Sequence, residues 1–424
     1  MMQKNTVCLL NDSFPPQIDG VSNAILNYAK YAHYNGYDPI VVTPAHPRAA
    51  DEQFPFPVVR YPSVTFRKMD GYMAGIPFSP ETARSVAGQT VSLIHTHCPI
   101  MSTFMARELR QITDAPIVLT YHTKFDVDIA NIVKHQHLQS ACKKALVANI
   151  SACDEVWAVS QGAGENLRSL GYEGDYIVMP NGVDLPRERI DERKIANLAD
   201  SYDLPTGIPI YLFVGRMMWY KGIRIILDAL CGLHQQEKDF RMVFIGDGDD
   251  RAEIESYAEN CGIKQKCVFA GTIHDREVLR AWYCRADLFL FPSSYDTNGL
   301  VVREAAACGL ASVLIENSCA AEGVTDGRNG FLISESADSL CRRLAGLHGD
   351  FNVTRTVGKF ASKELYISWE SAVQTAMDRY AVVIERYKSG YYPRRIRPME
   401  GFMKLNGELM EGLAYLSSKR RMKE

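Results

Sequence analysis

The chain has 424 residues, with 47 Lys and Arg against 50 Asp and Glu and a formal net charge of −3. At 46% apolar and 23% charged residues it reads as an ordinary globular protein with room for about two to four domains. The near-neutral balance argues against general nucleic-acid binding, which needs a basic face, and no stretch approaches the ~20 apolar residues of a membrane span.

The apolar run Thr6–Leu10 is shorter than the about 7–15 residues of a signal-peptide core. Eleven cysteines without a C-x-x-C pair read as reduced thiols, with neither a disulfide framework nor a zinc site. Together these give a cytoplasmic expectation.

Short apolar β-rich runs alternate with helical patterns along the chain. In the first half the expected strands are Thr6–Leu10, Pro39–Thr43, Ser92–His95, Ile117–Tyr121, Glu155–Val159 and Tyr176–Met179. Between the first two, Val21, Ala24, Ile25, Tyr28, Ala29 and Ala32 recur at helical spacing. In the second half they are Ile210–Val214, Met242–Ile245, Cys267–Ala270, Asp287–Phe291, Ser312–Ile315 and Gly330–Ile333. Runs such as Tyr-Leu-Phe-Val (211–214) are apolar throughout, as strands buried on both faces of a parallel sheet are. The fold class is therefore α/β, with right-handed βαβ units in doubly wound sheets.

Pro180-Asn181-Gly182 is a turn signal, and a polar stretch with alternating charges follows. The expected organisation is an N-terminal Rossmann-like domain over 1–185, a linker over 186–207 and a second Rossmann-like domain over 208–365. A helix over 366–390 returns to the first domain, and a tail runs from 391 to 424. Such domains take ligands outside the carboxyl ends of their strands, here in a cleft between the two. The tail carries Arg394, Arg395, Arg397, Lys404, Lys419, Arg420, Arg421 and Lys423 against four Glu. Phe402, Leu405, Leu409, Leu413 and Leu416 repeat along it at helical spacing. That pattern suits a helix packed on the first domain, an amphipathic element on an anionic membrane surface, or a disordered tail.

Three strand-to-helix loops have the composition of anion sites. The first, Asn11–Gly20, ends on a glycine where a phosphate or sugar could approach a helix N-terminus. The second, Val214–Gly222, carries Arg216 and Lys221, a planar fork and a point charge able to clamp a diphosphate. The third runs from Ser293 to Glu304. There Asn298, Gly299 and Leu300 can aim backbone N–H groups at an anion. Glu304, one turn further on, can accept from a vicinal diol. Asp296 precedes them in the loop. Ordinary structural roles compete at each position: solvated cations for Arg216 and Lys221, helix capping for Asp296 and a first-turn carboxylate for Glu304.

Taken together, and in order, the segments FPPQIDGV (14–21), TYHT (120–123), AVSQ (158–161), PNGVD (180–184), VGRMMWYKG (214–222), FIGDGDD (244–250), VFAG (268–271), D-x7-E (296–304) and TDGRNGFL (325–332) resemble retaining glycosyltransferase family four. Within it the TYHT-like segment is similar to those of diacylglycerol glycosyltransferases and phosphoinositide mannosyltransferases. The resemblance implies a GT-B fold of two Rossmann-like domains and transfer of a hexosyl group from a UDP- or GDP-sugar to a hydroxyl acceptor. It implies that the loop ending at Gly20 lies on the donor diphosphate and sugar, and that Arg216 and Lys221 neutralise the diphosphate. Asn298, Gly299 and Leu300 would supply backbone donors, Glu304 would hold the ribose, Asp296 would meet sugar hydroxyls, and His122 would sit beside the reacting sugar.

The expected reaction is metal-independent and uses no cofactor beyond the nucleotide-diphosphate sugar. Two departures fall in the presumed sugar pocket: Asp296 stands where the family usually has Glu, and Thr-Asn-Gly (297–299) replaces the common Pro-Phe-Gly. The expected acceptor is a membrane lipid such as diacylglycerol, reached from the inner face of the plasma membrane. Ile129–Ile150, with Lys134, His135, His137, Lys143 and Lys144 among apolar residues, reads as an interfacial or a plain surface helix. A soluble or polyprenyl-linked glycan is the alternative acceptor. A nucleotide-sugar epimerase or an inactive nucleotide-sugar-binding subunit is the alternative from another class. Asp247-Gly-Asp249-Asp250 and Asp126-Val-Asp128 are read as structural turn residues or as neighbours of the nucleotide base, not as metal ligands.

Overall fold

The computed structural model describes residues 5–65, 73–77, 79–202 and 204–392. The chain divides into two compact units. The first is Met1–Pro180 with Trp369–Glu424, and the second is Asn181–Ser368.

The first unit is built on β1 (Thr6–Leu10), β2 (Asp38–Pro44), β3 (Val58–Tyr61), β6 (Val91–Thr96), β7 (Ile117–Tyr121), β8 (Glu155–Ala158) and β9 (Ile177–Val178). These form one sheet in the order β3-β2-β1-β6-β7-β8-β9, with every pairing parallel. A small antiparallel hairpin, β4 (Ser63–Thr65) with β5 (Met73–Gly75), is inserted between β3 and β6. The sheet reverses its winding between β1 and β6, and there the carboxyl-end loops diverge to leave room for a ligand. The helix Gly20–Tyr34 buries Ala24, Ile25, Tyr28, Ala29 and Ala32 of the stripe that its spacing predicts, while Val21 at its start is only half-buried.

The strand β3 and the hairpin were not expected. Prolines at 55, 57 and 62 give this stretch the look of a turn, whereas they flank a short edge strand that tolerates them.

The helix Trp369–Lys388 belongs to the first unit although it follows the second in sequence. It packs against the helix Gly20–Tyr34 through a buried stripe of Trp369, Val373, Ala376, Met377 and Tyr380. Arg379 forks onto Glu155 at the start of β8, with Nε to Oε1 at 2.9 Å. The tail from 393 to 424 lies outside the described residues.

In the second unit, β10 (Ile210–Val214), β11 (Arg241–Ile245), β12 (Cys267–Gly271), β13 (Leu288–Phe291), β14 (Ser312–Ile315) and β15 (Phe331–Ile333) form a parallel sheet. Its order is β12-β11-β10-β13-β14-β15, the dinucleotide-type winding with its reversal between β10 and β13. All residues of β10, β13 and β14 are buried, as continuous apolar runs require.

The stretch 186–207 is not a bare linker. It contains the helix Glu192–Ser201, which buries Ile195 and Leu198 against the helix Arg276–Arg285. Lys194 pairs with Glu277 at 3.0 Å. The alternating charges are the solvated face of that helix, and only two apolar positions betray it. Residues 181–185 also join the second unit. The Val183 N–H donates to the Ile367 carbonyl at 2.9 Å, and Leu185 lies in the core around β10.

The expected single helix 129–150 is two, Phe125–Ile132 and Gln136–Ile150. Val133 is extended between them, and its carbonyl accepts from the Gln139 side chain at 2.7 Å.

Candidate functional site

In the second unit the two loops at the sheet reversal converge. The loop after β10 is held on its far side by the turn after β11. Met217 N–H donates to the Asp247 carbonyl at 3.0 Å, and Trp219 N–H donates to Asp250 Oδ2 at 2.8 Å. These two aspartates thus brace the loop. Among the described residues no three His, Cys, Asp or Glu gather in a metal-binding group.

The loop then makes a short 3-10 turn over Trp219–Lys221 and reaches Gly222. Gly222 has φ +77°, and a Cβ there would lie 1.8 Å from the carbonyl oxygen of Pro292. Only glycine allows the two loops to cross so closely. That crossing seats Lys221, which is buried, against Asp296. Lys221 Nζ meets Asp296 Oδ1 at 2.6 Å, and Asp296 Oδ2 accepts from Ser293 Oγ at 2.6 Å. The Lys221 ammonium lies 5.6 Å from the ring centroids of both Tyr220 and Tyr295. Arg216, by contrast, is exposed, with its guanidinium 5.8 Å from the Tyr220 ring.

Two helices start at this reversal, Ile223–Gln235 and Leu300–Ala307. Both begin after a left-handed glycine, Gly222 and Gly299, and neither receives a side-chain cap. Gly299 has φ +56°, and a Cβ there would crowd the Ala320 backbone at 3.0 Å. A glycine cap carries no side-chain oxygen, so no carboxylate or hydroxyl of its own fills the first turn. Asn298 just before it is buried, and neither atom of its amide has a hydrogen-bond partner. Glu304 lies one turn on. Its Oε1 accepts from Arg276 at 2.8 Å and its Oε2 from the Tyr283 hydroxyl at 3.0 Å. A carboxylate so oriented keeps further lone pairs for a ligand. Neither Arg276 nor Tyr283 was anticipated; both come from a helix with no motif around them.

In the first unit the corresponding loops follow β1, β6 and β7. Gly20 is the first residue of its helix, is exposed, and has open space where a Cβ would stand. The anion reading of this helix end meets a competitor that the sequence reading overlooked. Asp19 Oδ1 already accepts from the N–H groups of Val21 and Ser22 at 2.8 and 2.7 Å. Asp12 does the same for the helix Met101–Thr113, accepting from Ser102 N–H at 2.5 Å and Met101 N–H at 3.1 Å. Both helix N-termini are therefore filled by the chain's own carboxylates.

His122 follows β7 and is buried. Burial drives its imidazole down to about 3, so it is neutral. Its Nε2 lies 2.9 Å from Nδ1 of His97, which follows β6. His95, two residues earlier on the same sheet face, joins Thr120 Oγ1 at 2.7 Å and the Tyr380 hydroxyl at 2.6 Å. His95 and His97 lie outside the motifs that the sequence displays. Their signal is the period-two match of IHTH (94–97) with LTYH (119–122) on adjacent strands.

The description "Glycosyltransferase Family 4" matches residues 18–187, and "Glycosyl transferases group 1" matches residues 195–359. The chain belongs to glycosyltransferase family four. This family-four chain is 26% identical over 337 residues to a GDP-mannose-dependent alpha-mannosyltransferase of Corynebacterium glutamicum, covering 77% of this chain and 76% of the relative. It is 25% identical to an alpha-monoglucosyldiacylglycerol synthase of Streptococcus pneumoniae, covering 71% of this chain and 69% of the relative. The solved structure of Anabaena HepE in complex with UDP-glucose aligns with a TM-score of 0.71 at 18% identity, over 89% of this chain and 99% of that one. Such a likeness shows the fold, and the glycosyltransferase has the GT-B fold of two Rossmann-like units.

Proposed function

We propose that this glycosyltransferase moves a hexosyl group from a UDP- or GDP-sugar to the hydroxyl of a membrane lipid such as diacylglycerol, with retention at the anomeric carbon. One observation carries the reading: the two helices at the reversal of the second unit start on glycines with no side-chain cap, beside Lys221. Open N–H groups, helix dipoles and a fixed cation suit a diphosphate. The helix ends of the first unit, filled by Asp12 and Asp19, do not compete for it.

Lys221 and the exposed Arg216 neutralise the diphosphate, and Asn298, Gly299 and Leu300 supply donors. Glu304 takes the ribose diol, Asp296 meets sugar hydroxyls, and Gly20 and His122 face the sugar. The bond from the anomeric carbon to the β-phosphate oxygen breaks as the acceptor oxygen bonds to the same face. The acceptor proton passes to that departing phosphate oxygen. Charge developing on the phosphate is met by Lys221 and Arg216, so the reaction proceeds without a metal.

The lipid acceptor is supported by the named activity of the Streptococcus relative and by an exposed stretch of the first unit. There Leu138 is 55% exposed beside exposed Lys134, His135 and His137, a composition that suits an anionic membrane surface. Among the described residues no helix is long and apolar enough to cross a membrane. Peripheral attachment at the inner face of the plasma membrane fits this reading.

Thermal unfolding with UDP, GDP and ADP, each with and without EDTA, tests the donor half. The expected result is a shift of a few degrees with one diphosphate, indifferent to EDTA. No shift with any of the three refutes the diphosphate site, and a shift abolished by EDTA refutes the metal-free reading. Incubation of the matching hexose donor with diacylglycerol in anionic vesicles, followed by mass spectrometry and anomeric coupling constants, tests acceptor and stereochemistry. An inverted linkage, or transfer only to soluble glycans, overturns those parts.

A further inference from the structure

We infer that His97 is a positioning residue that locks His122 into one tautomer, with the proton on Nδ1 and Nε2 held as an acceptor. This rests on the proposed placement of His122 beside the sugar. His97 Nδ1 and His122 Nε2 are 2.9 Å apart, and the ring centroids are 5.2 Å apart with planes inclined by 27°. Only one proton can sit between two nitrogens at that distance.

Which ring supplies it follows from the other side of His97. Its Nε2 is buried with no hydrogen-bond partner. A proton placed there would be a buried donor with no acceptor, whereas a proton on Nδ1 meets His122 and strands only a lone pair. Orphaned buried donors are the rarer and costlier of the two. Burial pushes both imidazoles well below their usual range, so neither ring carries a second proton to evade the choice. His97 therefore donates from Nδ1, His122 accepts at Nε2, and the single proton of neutral His122 must reside on its own Nδ1.

The donor is rigidly held. The His97 backbone N–H is tied to the Leu10 carbonyl at 2.8 Å. Its ring is packed between Tyr28, at 4.9 Å, and His95, at 4.0 Å. His95 is itself pinned at both nitrogens by Thr120 and Tyr380. The arrangement arises because His95 and His97 alternate along β6 and its end, as Thr120 and His122 do along β7 and its end. The consequence for the site is chemical. His122 carries its proton at Nδ1 and cannot act there as a base that accepts a proton.

The test is a long-range proton–nitrogen correlation spectrum of the full chain labelled with 15N-histidine, with His122 assigned by loss of its signals in His122→Gln. The expected pattern is a protonated Nδ1 and a bare Nε2 for His122, unchanged between pH 6 and 8. A protonated Nε2 in the wild-type protein overturns the inference without any further variant.

Kinetics then separate positioning from mere packing. His97→Leu should cut kcat about 10- to 100-fold, with KM within about threefold, and should release His122 to a mixture of tautomers. His97→Asn, which keeps an N–H near the Nδ1 position, should restore most of the rate. A folded His97→Leu protein with unchanged kcat and an unchanged His122 tautomer refutes positioning. Full turnover in folded His122→Ala would instead refute the placement of His122 beside the sugar, while leaving the tautomer result to stand or fall on the spectrum.

Discussion

Lys221 and Asp296 join the two loops that flank the sheet reversal of the second unit, Nζ to Oδ1 at 2.6 Å. Each was expected to address a different part of the donor, yet they pair with each other. A donor bound as proposed has to divide Lys221 between Asp296 and a phosphate. Lys221→Ala should lower turnover about 10²-fold or more, the scale seen when one transition-state donor is removed. Steady-state kinetics on a variant with unchanged thermal unfolding checks this, and near-normal turnover would refute the role.

The same pair gives Asp296→Asn an opposite signature on binding and rate. Removing the carboxylate charge leaves Lys221 with more positive potential for a diphosphate, so the free nucleoside diphosphate should bind about three- to tenfold more tightly. Turnover should fall, because the sugar loses its charged acceptor. Titration calorimetry with UDP and GDP beside kcat measurements checks both signs; weaker diphosphate binding would show that Asp296 does not restrain Lys221.

Three glycines that look alike in sequence should behave differently. Gly222 at φ +77°, with Pro292 O 1.8 Å from a Cβ, should tolerate no side chain, and Gly222→Ala should cost about 3 kcal/mol or more. Gly299→Ala should cost about 1–2 kcal/mol from its left-handed backbone alone. Gly20→Ala meets open space at a helix start, so it should leave stability within about 0.5 kcal/mol of wild type or raise it slightly. Any loss of activity in Gly20→Ala then reports on what the site receives there. Denaturant unfolding of the three variants orders them; equal stabilities would contradict these local conformations.

That contrast marks how far the sequence was legible. Strands such as β10 and β13 are apolar throughout, which is the pattern a parallel sheet buried on both faces needs, and the loops at their carboxyl ends could be found from it. What could not be found were partnerships across long separations. Nothing local says that Asp12, after β1, caps the helix starting at Met101; Asp19, by contrast, fills the helix end where an anion was expected from only two and three residues away, a cap that the sequence does carry. Glu192–Ser201 was read as linker because a helix lying on one neighbour needs only Ile195 and Leu198 to be apolar. The His97–His122 pair was visible only as two-residue alternation on strands whose adjacency a sequence does not state.

Buried ionisable groups make the stability of this protein depend on pH in a definite direction. His95, His97 and His122 are buried and neutral, with His122 brought down to about 3 and the other two well below their usual range, all by desolvation. Between pH 6.5 and those lower values the unfolded chain binds protons that the folded chain refuses. Each such histidine removes about 1.4 kcal/mol per pH unit as pH falls through that window.

Glu108 acts oppositely. It is buried with both carboxylate oxygens unpartnered, and desolvation raises it to about 7. The folded chain therefore holds a proton that the unfolded chain releases, so this group costs stability as pH rises from about 4.5 to 7. Desolvation also raises the Asp12 and Asp287 carboxyls, which act in the same sense as Glu108; near pH 5–6 the three histidines outweigh Glu108, so the balance of these four groups makes stability rise toward neutrality. Glu108→Gln should remove the opposing contribution. The variant should then gain about 1–3 kcal/mol relative to wild type at pH 8, compared with their difference at pH 4.5. Urea titrations of both proteins from pH 4.5 to 8 measure these slopes; identical curves for Glu108→Gln and wild type would place the Glu108 carboxyl in water rather than in the core.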